Sequence, residues 1–213
     1  MEDTHRRARL QEDAGEALPV KVAVVGLSPS TRHLVPKDWD IWALPWDNEY
    51  GAIASRLFEM HDRGLLEKPE ALRKESYFND LAEMPQPIYM QKHWDDIPSS
   101  IPYPLGEVAS IFKGFPRGRW DTQKDWYNSS PAYMIALAIH EGATTIGLYG
   151  IDILDNSEYI LERPCLEYLI GLAVGRGIEV IVPEGPSALG KFRGTGIKLG
   201  TMEPVYKARY GYL

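Results

Sequence analysis

A three-layer α/β fold, with a mostly parallel sheet between two layers of helices, follows from three features of the sequence. Apolar, β-branched runs alternate along the chain with segments of helical spacing, the order that builds βαβ units. Two of those runs, VKVAVVG at 20–26 and TTIGLYG at 144–150, are apolar almost throughout rather than alternating, as strands covered on both faces are. The runs break at Gly26, Pro45, Gly150 and Pro183, so four strand ends should line one edge of a doubly wound, Rossmann-like sheet.

The elements follow in order. Residues 1–18 read as a mobile arm or a short solvated helix, because MEDTHRRARLQEDAGEA is polar and mixed in charge. It has no apolar core of the kind a secretory signal carries. The main domain is expected over 19–190 and a tail over 191–213. The first strand ends at Gly26 and gives way to a Ser28-Pro29-Ser30 turn. WDIWALPW (39–46) predicts a second strand closed by Pro45.

In AIASRLFEMHDRGLL (52–66), Ile53, Leu57, Met60 and Gly64 recur at helical spacing, so a helix is predicted. YFNDLAEM (77–84) predicts another helix and PIYMQKHW (87–94) a strand. The prolines of DDIPSSIPYPLG (95–106) require irregular or extended chain. GEVASIFKGF suggests a helix ending near Gly114, and a long irregular loop spans 114–130. AYMIALAIHEGA (132–143) is a helix apolar nearly all round, capped at Gly142, that leads into the strand at 144–152. A further helix lies within 158–178 with Pro164 in its first turn, and IEVIVP (178–183) is the next strand.

Composition narrows the classes. With 44% hydrophobic and 25% charged residues in a chain of 213, a core can form without disulfide staples. A formal net charge of −7 argues against broad binding along a phosphate backbone and leaves a local basic patch open. Cys165 is the single cysteine, so an intrachain disulfide is excluded and a reducing cytoplasm fits. Cys165 reads as a small core residue, with no basic neighbour to lower its pKa. No run of 18 apolar residues occurs, and no membrane span is expected.

Three motifs place chemistry at the strand edge. In G-L-S-P-S (26–30), Gly26 permits close backbone approach, while Ser28, Pro29 and Ser30 offer hydroxyls and turn amides to a phosphate; a plain turn with a helix cap uses the same residues. In N-S-S-P (128–131), Ser130 reads as the N-cap and Pro131 as the first helical residue, so Ser129 and Ser130 would present amide hydrogens and a helix dipole to an anion, or simply cap the helix. In G-I-D (150–152), a carboxylate directly after a buried strand suits a ribose hydroxyl or catalysis, and Asp also caps turns.

The stretch SSPAYMIALAIHEGATTIGLYGID, with VAVVGLSPS before it, resembles the bacterial sialyltransferases of glycosyltransferase family 42. In that family a Ser-Gly dipeptide opens the helix where Ser129-Ser130 stand here, a similar Y-M-x-A-x-A-I-x-x-G segment follows, and the strand closes in Gly-Ile-Asp. The chain also resembles uncharacterised phage proteins through F-E-x-H at 58–61, I-Y-M-Q at 88–91, G-x-D at 150–152 and the segment 158–178. The resemblance implies a nucleotide-sugar site. Gly26, Ser28, Pro29 and Ser30 would line the donor phosphate or ribose, and Ser129 and Ser130 the phosphate or sugar carboxylate. Gly150 and Asp152 would sit beside the nucleotide, and Tyr159 near a phosphate-binding tyrosine of the family. Leu27, Leu154 and the lack of any histidine after His140 depart from the family pattern, which puts CMP-sialic acid as donor in question.

Glycosyl transfer with inversion needs a base at the acceptor hydroxyl and charge stabilisation on the leaving phosphate. His61, with Glu59 two residues before it, is the candidate base; a His and Glu on a helix face also form ordinary solvated pairs. His33 lies near the first turn, His140 within the apolar helix and His5 in the arm. Arg117, Arg119 and Lys124, interleaved with Trp120 and Trp126, would suit a nucleic-acid acceptor or a solvated loop. Glu162, Arg163 and Glu167 flank a helix start, and only Asp152 with Asp155 suggests a divalent ion, so no metal and no cofactor beyond the nucleotide-sugar donor are expected.

The expectation is a cytoplasmic glycosyltransferase, in the host cytoplasm if phage-derived. Its partners would be a nucleotide or nucleotide sugar and a glycan or modified nucleobase as acceptor, with assembly into a homo-oligomer open. The alternatives are a nucleotide hydrolase or N-glycosidase using Glu59, Asp152 or Glu167, and a protein that sequesters a nucleotide without turnover.

Overall fold

The structure is a computed structural model that describes residues 18–47, 49–67, 76–112, 128–152 and 159–183. Among these, seven strands form one sheet: β1 (Lys21–Val25), β2 (Asp40–Ala43), β3 (Arg56–Glu59), β4 (Ile88–Met90), β5 (Ser100–Pro102), β6 (Thr145–Tyr149) and β7 (Glu179–Ile181). Their spatial order is β5-β4-β3-β2-β1-β6-β7, and each neighbouring pair is parallel. The helices are α1 (Pro29–Arg32), α2 (Arg63–Leu66), α3 (Tyr77–Glu83), α4 (Leu105–Val108), α5 (Ser130–His140) and α6 (Tyr159–Gly175). A 3-10 turn over Ala109–Phe112 continues α4.

Period-two alternation sorts the strand residues between two cores. Val22, Val24, Trp42, Phe58, Ile146 and Leu148 face one side, where Met134, Ile135 and Leu137 of α5 and Leu166 and Leu169 of α6 cover them. Ala23, Val25, Ile41, Ala43, Leu57 and Ile88 face the other side, against Tyr77 and Leu81 of α3. Both faces are thus layered with helix, as a doubly wound Rossmann-like sheet requires. From β1 the chain steps outward to β5; it then returns through α4 and α5 to β6 on the opposite flank of β1. The β1–β6 pair is therefore the topological switch point, where the crevice outside the carboxyl ends of the strands opens.

Three local expectations are corrected. The helix predicted over 52–66 is instead a turn, strand β3 and the short α2. Ile53, which a helix would bury, is 62% exposed, while Leu57 and Phe58 are both fully buried on opposite faces. A strand covered on both sides has no polar stripe, and that made its apolar residues mimic helical spacing. The proline-rich 95–106 segment is extended in part, as expected: it supplies β5 at the sheet edge, where Pro102 costs no interior ladder bond. Helix α5 begins one residue early: Ser129 is the N-cap, with extended backbone, and Ser130 is the first helical residue. Helix α6 begins at Tyr159, so Pro164 lies inside it rather than in its first turn.

The arm to residue 17, the loop carrying Arg117, Arg119, Trp120, Lys124 and Trp126, Leu154 and Asp155, and the tail from 184 lie outside the described residues.

Candidate functional site

The tips of β1 and β6 are fused by backbone contact. Gly26 N–H donates to the Tyr149 carbonyl at 2.8 Å, and Ser28 N–H to the Gly150 carbonyl at 2.9 Å. The Gly150 N–H donates to Thr31 Oγ1 at 2.8 Å, tying α1 to the β6 tip. Both glycines are obligatory here. A Cβ on Gly26 would lie 2.4 Å from the Gly150 carbonyl oxygen. Gly150 has φ +62° and would drive a Cβ to 2.6 Å from Arg32 Cγ and the Ser28 carbonyl oxygen. So the chain reverses tightly on both strands and brings their next side chains together.

Those side chains are the predicted ones. Ser30 Oγ donates to Asp152 Oδ1 at 2.9 Å, and Ser28 Oγ donates to Asp152 Oδ2. Ser28 is also the N-cap of α1, accepting from Ser30 N–H at 3.4 Å, with Pro29 as the first helical residue. Ser28 therefore both caps α1 and faces Asp152. Each oxygen of one half-buried carboxylate is met by one hydroxyl donor across 122 and 124 residues of sequence.

Helix α5 leads into β6, so it runs antiparallel to the strands and its first turn belongs to the same carboxyl edge. Ser129 makes no side-chain capping bond, and its buried Oγ has no hydrogen-bond partner. Pro131 accounts for this in part, since it removes an amide that an N-cap side chain commonly serves. Tyr159 opens α6, which follows β6, so its backbone begins at this edge too; its side chain lies outside the described residues.

The tip of β2 adds an ion pair that the sequence reading did not single out. Arg32 of α1 reaches Asp47 with Nη2–Oδ1 at 2.5 Å, and the Asp47 side chain is 1% exposed. Asp47 Oδ1 also accepts the Glu49 and Tyr50 amides at 2.9 and 3.0 Å, while the Tyr50 hydroxyl donates to the Arg32 carbonyl at 2.6 Å. This lattice clamps the serine turn onto the neighbouring strand tip.

At the tip of β3 the geometry differs from the expected helix face. Glu59 is the last residue of the strand and is fully buried. Its Oε1 accepts the His61 amide at 3.1 Å and faces His61 Nδ1 at 2.6 Å; its Oε2 accepts the Tyr77 hydroxyl. Trp46 packs beside both rings, at 5.7 Å from His61 and 6.2 Å from Tyr77. His61 and Glu59 are thus brought together as predicted, as a buried carboxylate under a half-exposed imidazole rather than as a solvated pair. Tyr77, 18 residues from Glu59, carried no spacing signal.

The remaining candidates stand apart. His33 is exposed at the end of α1, and His140 ends α5. Glu167 pairs with Arg163 one turn away at 2.7 Å on the surface of α6. Cys165 is buried, as a core residue. Among the described residues no group of three or more His, Cys, Asp or Glu could hold a metal ion, and no helix is long and apolar enough to cross a membrane.

Fold and site together define a Rossmann-like α/β protein whose polar groups gather at the switch point of the sheet. Solved structures similar to it are of the sialyltransferase CstII from Campylobacter jejuni. The complex with the substrate analogue CMP-3FNeuAc is 18% identical, covers 81% of this chain and 88% of its own, and gives a TM-score of 0.44. The complex with cytidine-5'-monophosphate is 17% identical over 78% and 80%, at 0.42. The complex of CST-II with trisaccharide acceptor and CMP is 16% identical over 75% and 79%, at 0.45. No family model and no curated protein matches the chain.

Proposed function

We propose that this protein is a nucleotide-sugar-dependent glycosyltransferase, with the nucleoside end of its donor at the β1–β6 tips. The observation that carries the reading is the convergence of Ser28, Ser30 and Asp152 at the switch point. A carboxylate that accepts one hydroxyl on each oxygen matches the two hydroxyls of a ribose, and ribose binding by an acid is a recurring use of this fold position. The phosphate is better served a short way off, at the N-terminus of α5 beside Ser129 and Ser130, where amide hydrogens and the helix dipole favour an anion and Asp152 does not repel it.

The reacting end of the donor would then point along the edge toward β3. Between β6 and β3 lie β1 and β2, so the two tips are three strand spacings apart, roughly 14 Å. A nucleotide sugar spans a gap of that order. At β3 His61 takes the proton from the acceptor hydroxyl as that oxygen attacks the anomeric carbon. The bond from that carbon to the phosphate oxygen breaks, and its electron pair leaves with the nucleoside phosphate. Glu59 stabilises the imidazolium formed. The acceptor is a glycan or a modified nucleobase, and the setting is the cytoplasm, that of the host if the protein is phage-derived.

Of the hydrolytic alternatives, Glu59 is covered on both oxygens and Glu167 is held by Arg163 on a helix surface, so neither is placed to attack or activate water. The test is a panel of UDP-, GDP- and CMP-sugars with glycan and nucleobase acceptors, read as released nucleotide and as thermal stabilisation, on wild type, Ser130→Ala and Asp152→Ala. Transfer lost in Asp152→Ala is expected. Release of a base with no transfer, or stabilisation with no turnover of any donor, rejects the transferase reading.

A further inference from the structure

We propose that Tyr77 is a positioning residue: its hydroxyl holds Glu59 in the one orientation that fixes the ring tautomer of His61. The proposal deepens the transferase reading and rests on it for its function, but not for its test.

Three observations lead there. Glu59 is 0% exposed, and an ionised carboxylate in such a place is costly unless its lone pairs are met by donors. Three donors reach it: the His61 amide at 3.1 Å and the Nδ1 side of the same ring at 2.6 Å on Oε1, and the Tyr77 hydroxyl on Oε2. The amide has only a hydrogen to offer, so Oε1 acts as an acceptor. In the neutral ring the hydrogen then sits on Nδ1, and Nε2 carries the lone pair. The His61 side chain is 48% exposed and its Nδ1 faces Glu59, so in the proposed mechanism Nε2 takes the proton of the acceptor hydroxyl.

Tyr77 touches no acceptor in this arrangement, being 5% exposed beneath Trp46. It acts through Glu59. The chain must bring α3 back over the tip of β3 to deliver that hydroxyl, and Tyr77 is the first residue of α3. Without the phenol donor, Oε2 is a buried acceptor with nothing on it. The carboxylate then turns toward another donor, and its grip on Nδ1 weakens.

The experiment is long-range proton–nitrogen NMR of the His61 ring in the full chain at about pH 9, where an ordinary imidazole is neutral. It compares wild type, Tyr77→Phe and Glu59→Gln, with transfer rate and acceptor KM measured on the same samples. The expected result is a pure Nδ1–H tautomer in wild type and a mixed or reversed one in both variants. Transfer should fall at least tenfold in kcat with acceptor KM nearly unchanged, as for an interaction realised in the transition state. A wild-type Nε2–H tautomer overturns the proposal, and so does a Tyr77→Phe spectrum identical to wild type. If Tyr77→Phe does not fold, 3-fluorotyrosine placed at position 77 alters the acidity of the phenol with almost no change of shape. The His61 Nδ1 resonance then moves if the coupling exists, and a stationary resonance overturns it. A tautomer that follows Tyr77 with no transfer from any donor rejects the transferase reading alone. Transfer with a tautomer indifferent to Tyr77 rejects the positioning role alone.

Discussion

Two strand tips on the same edge solve the same problem in opposite ways. At β1–β6 a half-buried carboxylate, Asp152, is held by two short hydroxyls on tight glycine turns. At β3 a fully buried carboxylate, Glu59, is held by a tyrosine and a histidine that are themselves wedged among aromatics. The first arrangement can exchange its partners for a ligand's hydroxyls, because both serines and the acid reach solvent. The second cannot, since Glu59 is fully buried and Tyr77 is built into the core over it. In the proposed mechanism one tip binds and the other orients, and substitutions should separate the two.

The largest effect is expected at the clamp that holds the binding tip in place. Arg32→Met leaves Asp47, 1% exposed, without its cation, and breaking a buried pair of this kind costs about 3–5 kcal/mol. Urea denaturation measures it; a loss below about 1 kcal/mol would mean that Asp47 is served by something other than Arg32. Next is Gly150→Ala. It combines a left-handed backbone at φ +62° with contact at 2.6 Å to the Ser28 carbonyl, for about 2–3 kcal/mol in the same assay. Both substitutions should also loosen any nucleotide bound at Asp152, because both displace the serine turn.

Glu59→Gln should lower stability by about 1–3 kcal/mol, since an amide cannot accept from the Tyr77 hydroxyl and both His61 donors with both of its ends. Nucleotide affinity should stay within twofold of wild type. A Glu59→Gln protein that loses nucleotide binding would break the division between the two tips.

The smallest effect concerns a third acid, Asp96, whose hydrogen bonds and ion pair with Arg63 hold it below the usual carboxylate range. With the folded value depressed, the pair's contribution is complete above the ordinary Asp pKa and disappears as pH falls through the lowered one. Asp96 is more than half exposed, so Asp96→Asn should cost less than about 1 kcal/mol at neutral pH, and progressively less as pH falls through the lowered value. Salt should weaken it further.

The contrast between the tips also decides what was legible in the sequence. Ser28, Ser30 and Asp152 sit next to Gly26 and Gly150, and a glycine that ends an apolar run marks both the strand end and the turn. The site at β1–β6 could be read because its backbone and its chemistry share the same few residues. Glu59 and His61 could be picked out as a pair, but their setting could not. β3 is buried on both faces, so Leu57 and Met60 fell into helical spacing with Ile53 and made Glu59 look exposed. Tyr77 and the Arg32–Asp47 pair were invisible for a different reason: their partners are set by which helix returns over which strand. The parallel sheet was legible from its unbroken apolar strands, whereas its order was not, because a run such as TTIGLYG does not say which neighbour it pairs with.

The most direct measurement is a chemical-shift titration of the full chain with nucleoside monophosphates and nucleotide sugars, repeated on Asp152→Asn. The account predicts that at least one ligand binds, that shifts concentrate in residues 26–32 and 150–152, and that affinity falls about 10–100-fold in the variant, the range for losing hydrogen bonds to a charged group, while the fold stays intact. A ligand that binds wild type and Asp152→Asn equally, or that moves only resonances away from the β1 and β6 tips, would contradict it.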